Sequence, residues 1–259
     1  LSFKNIKFFG AVNIPDGFTL ANYTRVLTSK NFYNALLRSL IYTTLAVGVS
    51  FGIGLGLALL INKKGPLQKL FRILVLLAWP IPGVVVSLLF SWIFDGNFGI
   101  LNSMLRSLGI IRQNIPWLIQ TSSAFPSVIV ATIWKCYPFF TLMLLAGLQG
   151  VPAELYESAQ IDGANAFQRF RNITFPAIRS VVAIALLQNG LWVFRNYDLI
   201  STMTGGGPNR ATETLPLLLY NEAFKFSRLG SAAAIGVLGL IVCSLIVILF
   251  LPTLKKQFY

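Results

Sequence analysis

Three carboxylates, Glu154, Glu157 and Asp162, stand close together, and Arg169, Arg171 and Arg179 follow at short intervals. The whole chain has only 8 acidic residues and no histidine, so this is its densest grouping of carboxylates. Carboxylates this near could shuttle protons, yet such work near neutral pH falls mostly to histidine or to a buried acid. Neither is present. Cys136 and Cys243 both lie inside apolar runs, where free cysteine behaves as a small hydrophobe. No catalytic residue and no metal ligand is therefore assigned. The chemistry left to the cluster is recognition, by charged groups on a polar element presented to another protein.

Two other positions carry polar chemistry into apolar surroundings. Lys135 sits beside Cys136, Tyr137 and Pro138 in a long apolar run. A lysine at the centre of a bilayer costs about 2.5–3.5 kcal/mol on insertion scales. It must face a cavity or a carboxylate, as a specificity element for a charged solute or as half of a structural ion pair; the pair is the favoured reading. Further on, Asn189, Trp192 and Asn196 recur at spacings of three and four, which places them on one helical face. An aromatic flanked by amides gives a sugar a flat apolar patch for its C–H face and partners for its hydroxyls. Such a stripe also serves as glue between helices. Solute contact is the preferred reading of the three.

The elements that must position these residues follow from composition. Hydrophobic residues make up 55% of the chain, charged residues 11%, and the mean hydropathy is +0.71. Soluble domains carry roughly a quarter charged residues, so the default is an integral membrane protein. The net charge of +13 is spread thinly between apolar runs, which suits anionic lipid headgroups and not nucleic acid. Five runs are long enough to cross a hydrocarbon core: Ala35 to Ile61, Leu70 to Phe94, Ala124 to Leu148, Ile178 to Ile200 and Leu229 to Leu251. All must be helices, because an open sheet edge does not survive in lipid. The expected fold is all-α, a polytopic transmembrane helical bundle. Gly48, Gly52 and Gly56 form a small-residue ladder in the first run that lets another helix approach closely.

Basic residues set the direction. Lys63, Lys64, Lys69 and Arg72, then Arg169, Arg171 and Arg179, then Lys255 and Lys256 occupy one set of connections. Their density is roughly twice that of the opposite set, which the positive-inside rule assigns to the cytoplasm. The amino terminus then lies outside, Leu1 is not an initiator methionine, and no signal peptide precedes it. At least one further span is expected upstream. Residues 1–34 read as an extracellular lead-in and residues 35–259 as the transmembrane domain, with the polar connection at 150–178.

That connection is punctuated as a pair of short helices. Pro152 suits a first helical turn, Glu154 and Glu157 favour the same end electrostatically, and Gly163 supplies a left-handed stop. Asn165 with Gln168 reads as a capping box. Phe167, Phe170 and Ile173 then share an apolar face, and Pro176 marks the expected end. A hairpin lying among headgroups, or packed on its own spans, would also have an apolar face. Punctuation this careful suits a rigid protrusion that seats in a groove of a partner.

The run Glu157-Ser158-Ala159, then Asp162-Gly163-Ala164, then Ile173-Thr174-Phe175-Pro176 resembles the EAA loop of ABC importer permeases. That family's pattern is E-A-A-x3-G-x9-I-x-L-P, and the spacing here matches throughout, with Ser158 and Phe175 as mild departures. Thr204-Gly205-Gly206-Gly207-Pro208, with Thr212-Glu213-Thr214-Leu215 and Tyr220-Asn221-Glu222-Ala223-Phe224 after it, is similar to the carbohydrate-uptake branch and its maltose-type first permease. Leu20-Ala21-Asn22-Tyr23 is similar to the extracellular stretch after that family's first span.

The resemblance implies a transport subunit of the type I ABC importer permease kind and not an enzyme. It would sit in the prokaryotic cytoplasmic (inner) membrane with its carboxyl terminus in the cytoplasm. Its partners would be a second homologous permease, two cytoplasmic ATPase subunits and an extracellular solute-binding protein. The chain itself would bind no cofactor, with ATP and magnesium held by the ATPases; no G-x-x-x-x-G-K-[ST] phosphate cradle is present. The docking residues would be Glu157, Ala159, Asp162 and Gly163, supported by Phe167 and Phe170. The resemblance adds Tyr137 and Phe139 to the solute path of Asn189, Trp192 and Asn196, but its pattern has no lysine at position 135. A secondary, ion-coupled transporter is the alternative. It would show internal repeats and carboxylates inside its spans, and none is evident.

Overall fold

Helix is the only regular structure among the described residues, which in the computed structural model are 1–4, 18–62 and 68–255. The order is α1 Ala21–Leu27, α2 Lys30–Asn62, α3 Gln68–Ala78, α4 Gly83–Ile93, α5 Ile100–Ser107, α6 Thr121–Gln149, α7 Ala153–Ile161, α8 Ala166–Arg169, α9 Phe175–Phe194, α10 Asp198–Thr204, α11 Leu215–Tyr220 and α12 Leu229–Lys255. A π-helical turn, Phe170–Thr174, joins α8 to α9, and a second, Asn221–Lys225, follows α11. Lys63, Lys64 and Lys256, which entered the charge pattern, lie outside the described residues.

Four described helices are long and apolar enough to cross a membrane: Lys30–Asn62, Thr121–Gln149, Ala166–Phe194 and Leu229–Phe250. Three correspond to expected spans. The fourth span, expected from Ile178 to Ile200, instead belongs to a helix that starts at Ala166 and stops at Phe194. The second expected span, Leu70 to Phe94, is two helices of 11 residues each. Pro80 and Pro82 fall between them, and proline both lacks an N–H and excludes helical geometry from the residue before it.

The chain divides into two compact units. One comprises Leu1–Leu45, Pro82–Thr132 and Leu191–Ile246. Its core gathers Val26, Phe32, Ala35, Phe194, Leu215, Leu218, Ala234 and Ile235. Two polar contacts lie inside this unit: the Leu215 N–H donates to the Ser39 hydroxyl at 2.7 Å, and the Tyr42 and Thr132 hydroxyls are 2.7 Å apart.

Within that unit, the connection from α4 to α6 is organised by Asn102, which is 1% exposed. Its amide oxygen accepts from the Ile115 N–H at 3.1 Å and from Trp117 Nε1 at 3.0 Å. Its amide nitrogen donates to the Ile115 carbonyl at 3.0 Å, with the Asp95 and Gly96 carbonyls also in reach. Backbone N–H groups of Phe98 and Asn97 hold the Asp95 carboxyl below its ordinary range. Asn102→Leu keeps the volume but strands two part-buried donors, each worth about 1 kcal/mol, the low end for a lost partner. We expect a lower unfolding temperature, with protease cleavage appearing first between residues 95 and 117.

The second unit comprises Ala46–Ile81, Ile133–Gly190 and Val247–Tyr259. Here α2 and α6 meet at Gly54, where an added Cβ would lie 2.5 Å from that of Phe140. The expected ladder of Gly48, Gly52 and Gly56 meets nothing within 4 Å. Lys135, at the centre of α6, makes no ion pair among the described residues; its ammonium donates instead to the carbonyls of Trp79, at 2.7 Å, and Ile81.

Candidate functional site

The polar connection folds as a helical hairpin lying wholly in the second unit. Pro152 stands at the N-cap of α7, so its missing N–H falls where no helical bond is due. At the other end, the Ala164 N–H donates to the Ala159 carbonyl at 2.8 Å, and the Gly163 N–H to the Gln160 carbonyl at 3.1 Å. These two bonds are the Schellman closure, and Gly163 takes the left-handed φ of +78° that it requires.

Asn165 opens the next helix as expected. Its side chain accepts from the Gln168 N–H at 2.9 Å, and the Gln168 side chain accepts from the Asn165 N–H at 2.8 Å. The two arms are tied by the hydroxyls of Tyr156 and Thr174, 3.0 Å apart.

The second arm does not end at Pro176. It runs through the π-helical turn into α9, one helix of 29 residues from Ala166 to Phe194. In the wide turn the Phe175 N–H reaches back to the Phe170 carbonyl. Pro176, with no N–H of its own, follows directly, so the proline is absorbed without a break. The hairpin is thus continuous with a membrane span.

Glu157, Asp162, Gly163 and Phe167 are exposed, while Ala159 and Phe170 are half-buried. None of the residues of α7 is buried, and none of the hairpin's carboxylates forms an ion pair among the described residues. Its charges are free for an outside partner. So is apolar surface: Ile161 is 86% exposed, Phe167 68% and Leu155 47%. Sequence reading singled out Phe167 but missed Ile161 and Leu155. The available signal was an isoleucine directly before the Asp162-Gly163 stop, where a soluble hairpin would place a polar residue.

The residues expected along the solute path are placed differently from one another. Phe139 is buried, with its ring 5.8 Å from that of Phe140, and Tyr137 is half-buried. Asn189 is fully buried; neither amide atom completes a hydrogen bond, and the Cys136 thiol is the polar group set against it. Trp192, on the same helix, is 48% exposed. Asn196 lies past the end of α9, so it does not share their helical face; its side-chain oxygen accepts the Leu199 N–H at 3.2 Å at the start of α10.

The glycine-rich turn is structural. Gly205 ends α10 at φ +58°, and a Cβ on Gly206 would come within 2.9 Å of Leu217. The Thr204 and Thr212 hydroxyls are 2.7 Å apart, and buried Glu213 accepts from Asn221 Nδ2 at 2.8 Å.

Known proteins are similar to this chain in sequence and in fold. The trehalose/maltose transport system permease protein MalF of Thermococcus litoralis is 34% identical over 90% of this chain and 78% of its own length. The diacetylchitobiose uptake system permease protein DasB of Streptomyces coelicolor is 30% identical over 99% of this chain and 79% of its own. Among solved structures, a bacterial ABC transporter involved in the import of the acidic polysaccharide alginate superposes with a TM-score of 0.84 at 24% identity. That match covers 93% of this chain and 85% of the other. The model of one family, described as the binding-protein-dependent transport system inner membrane component, matches residues 48–257. With helix the only regular structure among its described residues, and with these relatives, the chain belongs to the binding-protein-dependent transport system inner membrane components, the permease subunits of ABC importers.

Proposed function

We propose that this permease imports a saccharide, and that its Ala153–Thr174 hairpin is the lever through which ATPase subunits drive it. The observation that carries the reading is the continuity of Ala166–Phe194. A partner that grips the exposed tip at Ile161 and Phe167 holds the end of a rigid helix whose other end lies in the membrane. Closure of two cytoplasmic ATPases on ATP would then move the span as a body. The hairpin faces the cytoplasm in this reading, as does the carboxyl terminus, with ATP and magnesium on the ATPases. A second homologous permease completes the path, and the open Gly48, Gly52 and Gly56 face suits a closely packed helix of that partner. An extracellular binding protein delivers the solute. The saccharide assignment is supported by the names of the relatives and by half-exposed Trp192, an aromatic face of the kind sugars stack on.

The deciding experiment reconstitutes the complete transporter in proteoliposomes and measures ATP-driven uptake of labelled maltose, trehalose and diacetylchitobiose against histidine and methionine. Uptake of a saccharide alone is the expected result. Uptake of an amino acid with no saccharide transported would overturn the solute class. In the same assay Trp192→Ala should raise the half-saturating saccharide concentration about three- to ten-fold, the scale of one lost aromatic contact, while the ATPase subunits stay bound.

A further inference from the structure

A charge and a helix break meet inside the membrane domain. In an unbroken helix the Trp79 carbonyl would pair with the Gly83 N–H and the Ile81 carbonyl with the Val85 N–H. The Trp79-Pro80-Ile81-Pro82 segment between α3 and α4 forfeits both bonds. In a surface loop water would take up such carbonyls. At membrane depth water is scarce, and each unpaired backbone group is costly.

Both of these carbonyls accept from one side chain, the Lys135 ammonium, offered from the centre of α6. An ammonium is a compact charge with three rotatable donors on a flexible stem, which suits two converging carbonyls. The dependence runs in both directions. The break supplies acceptors to a lysine that has no carboxylate partner among the described residues, and the lysine supplies donors to a backbone that has no helix of its own.

We infer that Lys135 is a positioning residue of the transport path, whose ammonium caps the two freed carbonyls and keeps the second apolar run broken at Trp79–Pro82. It acts on backbone and not on solute, and it bears on transport because the segment it holds joins α3 to the apolar helix α4 of a permease. The functional half of this inference rests on the importer reading given above; the structural half does not.

The test is a double-mutant cycle in the complete transporter held in lipid nanodiscs and proteoliposomes. Lys135→Met keeps the length and apolar stem but removes every donor. Pro80→Ala with Pro82→Ala lets the segment regain helical pairing and so removes the need for a cap. In the wild-type background, Lys135→Met should speed hydrogen–deuterium exchange across residues 79–90. It should also lower maximal ATP-driven uptake of the transported saccharide roughly ten-fold or more, the scale of two lost charge-assisted bonds, with its half-saturating concentration unchanged. In the Pro80→Ala/Pro82→Ala background the same substitution should leave exchange unaltered. If Lys135→Met alone fails to assemble, assembly should return in the triple variant.

An equal exchange response with and without the prolines would overturn the capping role, as would continued failure of the triple variant to assemble. A shift in half-saturating concentration with maximal uptake intact would reassign Lys135 to solute contact. The exchange arm needs no transported sugar, so its outcome stands even where the saccharide assignment fails.

Discussion

We expect a variant carrying Ile161→Asp and Phe167→Asp to insert and fold normally yet to lose the ATPase subunits proposed to seat on its hairpin. Both side chains project from the hairpin tip into solvent, at 86% and 68% exposure, so neither contributes packing that folding would miss, and surface substitutions of this kind usually shift stability by less than about 0.5 kcal/mol. An exposed isoleucine and phenylalanine on an otherwise polar, rigid element are a different matter in a complex. Fully burying each against a partner is worth about 1.5–3 kcal/mol, and large apolar anchors at the centre of an interface dominate its energetics. Together they supply about 3–6 kcal/mol, a loss of at least two orders of magnitude in affinity at roughly 1.4 kcal/mol per ten-fold. Aspartate adds the cost of a carboxylate forced into an apolar groove.

The measurement is co-purification of ATPase with permease, alongside the thermal stability of the permease itself. Retention of ATPase at wild-type stoichiometry would show that the tip is not seated in a partner. Glu157→Gln gives a useful contrast. Its carboxylate is exposed and makes no ion pair among the described residues, so its loss should weaken docking far less and mainly alter the salt dependence.

The hairpin was legible because its instructions are local. A proline before the first turn, a glycine at the stop and an Asn–Gln box each act within four residues, and the Schellman bonds and the reciprocal cap formed where those residues said they would. Pro176 misled for a related reason: proline ends a helix in isolation, but the π-helical turn before it changes which N–H groups are owed. The broken second span was hidden by composition, since Trp79, Ile81 and their neighbours keep the run apolar while Pro80 and Pro82 divide it. Lys135 was conspicuous in the sequence, but its acceptors lie 54 and 56 residues away in the chain and are backbone atoms, which side-chain patterns do not reveal. The glycine ladder of Gly48, Gly52 and Gly56 meets nothing within 4 Å, and the close approach of α2 to α6 occurs two residues off it, at Gly54. Periodicity locates a small face but does not say which helix will use it.

Gly163→Val is the second large effect, and it separates movement from binding. The substitution creates no collision, because an added Cβ at Gly163 would meet nothing within 4 Å. Its cost lies wholly in the backbone: at φ +78° an L-residue pays about 1–2 kcal/mol, and a β-branched side chain is the worst case. The turn relieves that strain by leaving the left-handed region, which breaks the 2.8 Å bond from Ala164 to Ala159 and re-aims α7 relative to the helix that runs into the membrane. Under the proposed docking the tip residues survive, so an ATPase still finds a surface to hold, but the hairpin no longer points where the span needs it. We expect normal insertion, weakened but detectable ATPase association, and ATP hydrolysis that proceeds with little saccharide uptake. Gly163→Asn should recover most of the coupling, since asparagine enters the left-handed region far more readily, and Gly163→Ala should fall between the two. That ranking, valine worst and asparagine best, is set by backbone preference and not by size. If uptake per ATP instead followed side-chain volume across the three variants, the lesion would be a steric clash in the docked complex, and Gly163 would be a contact residue instead of the pivot of the hairpin.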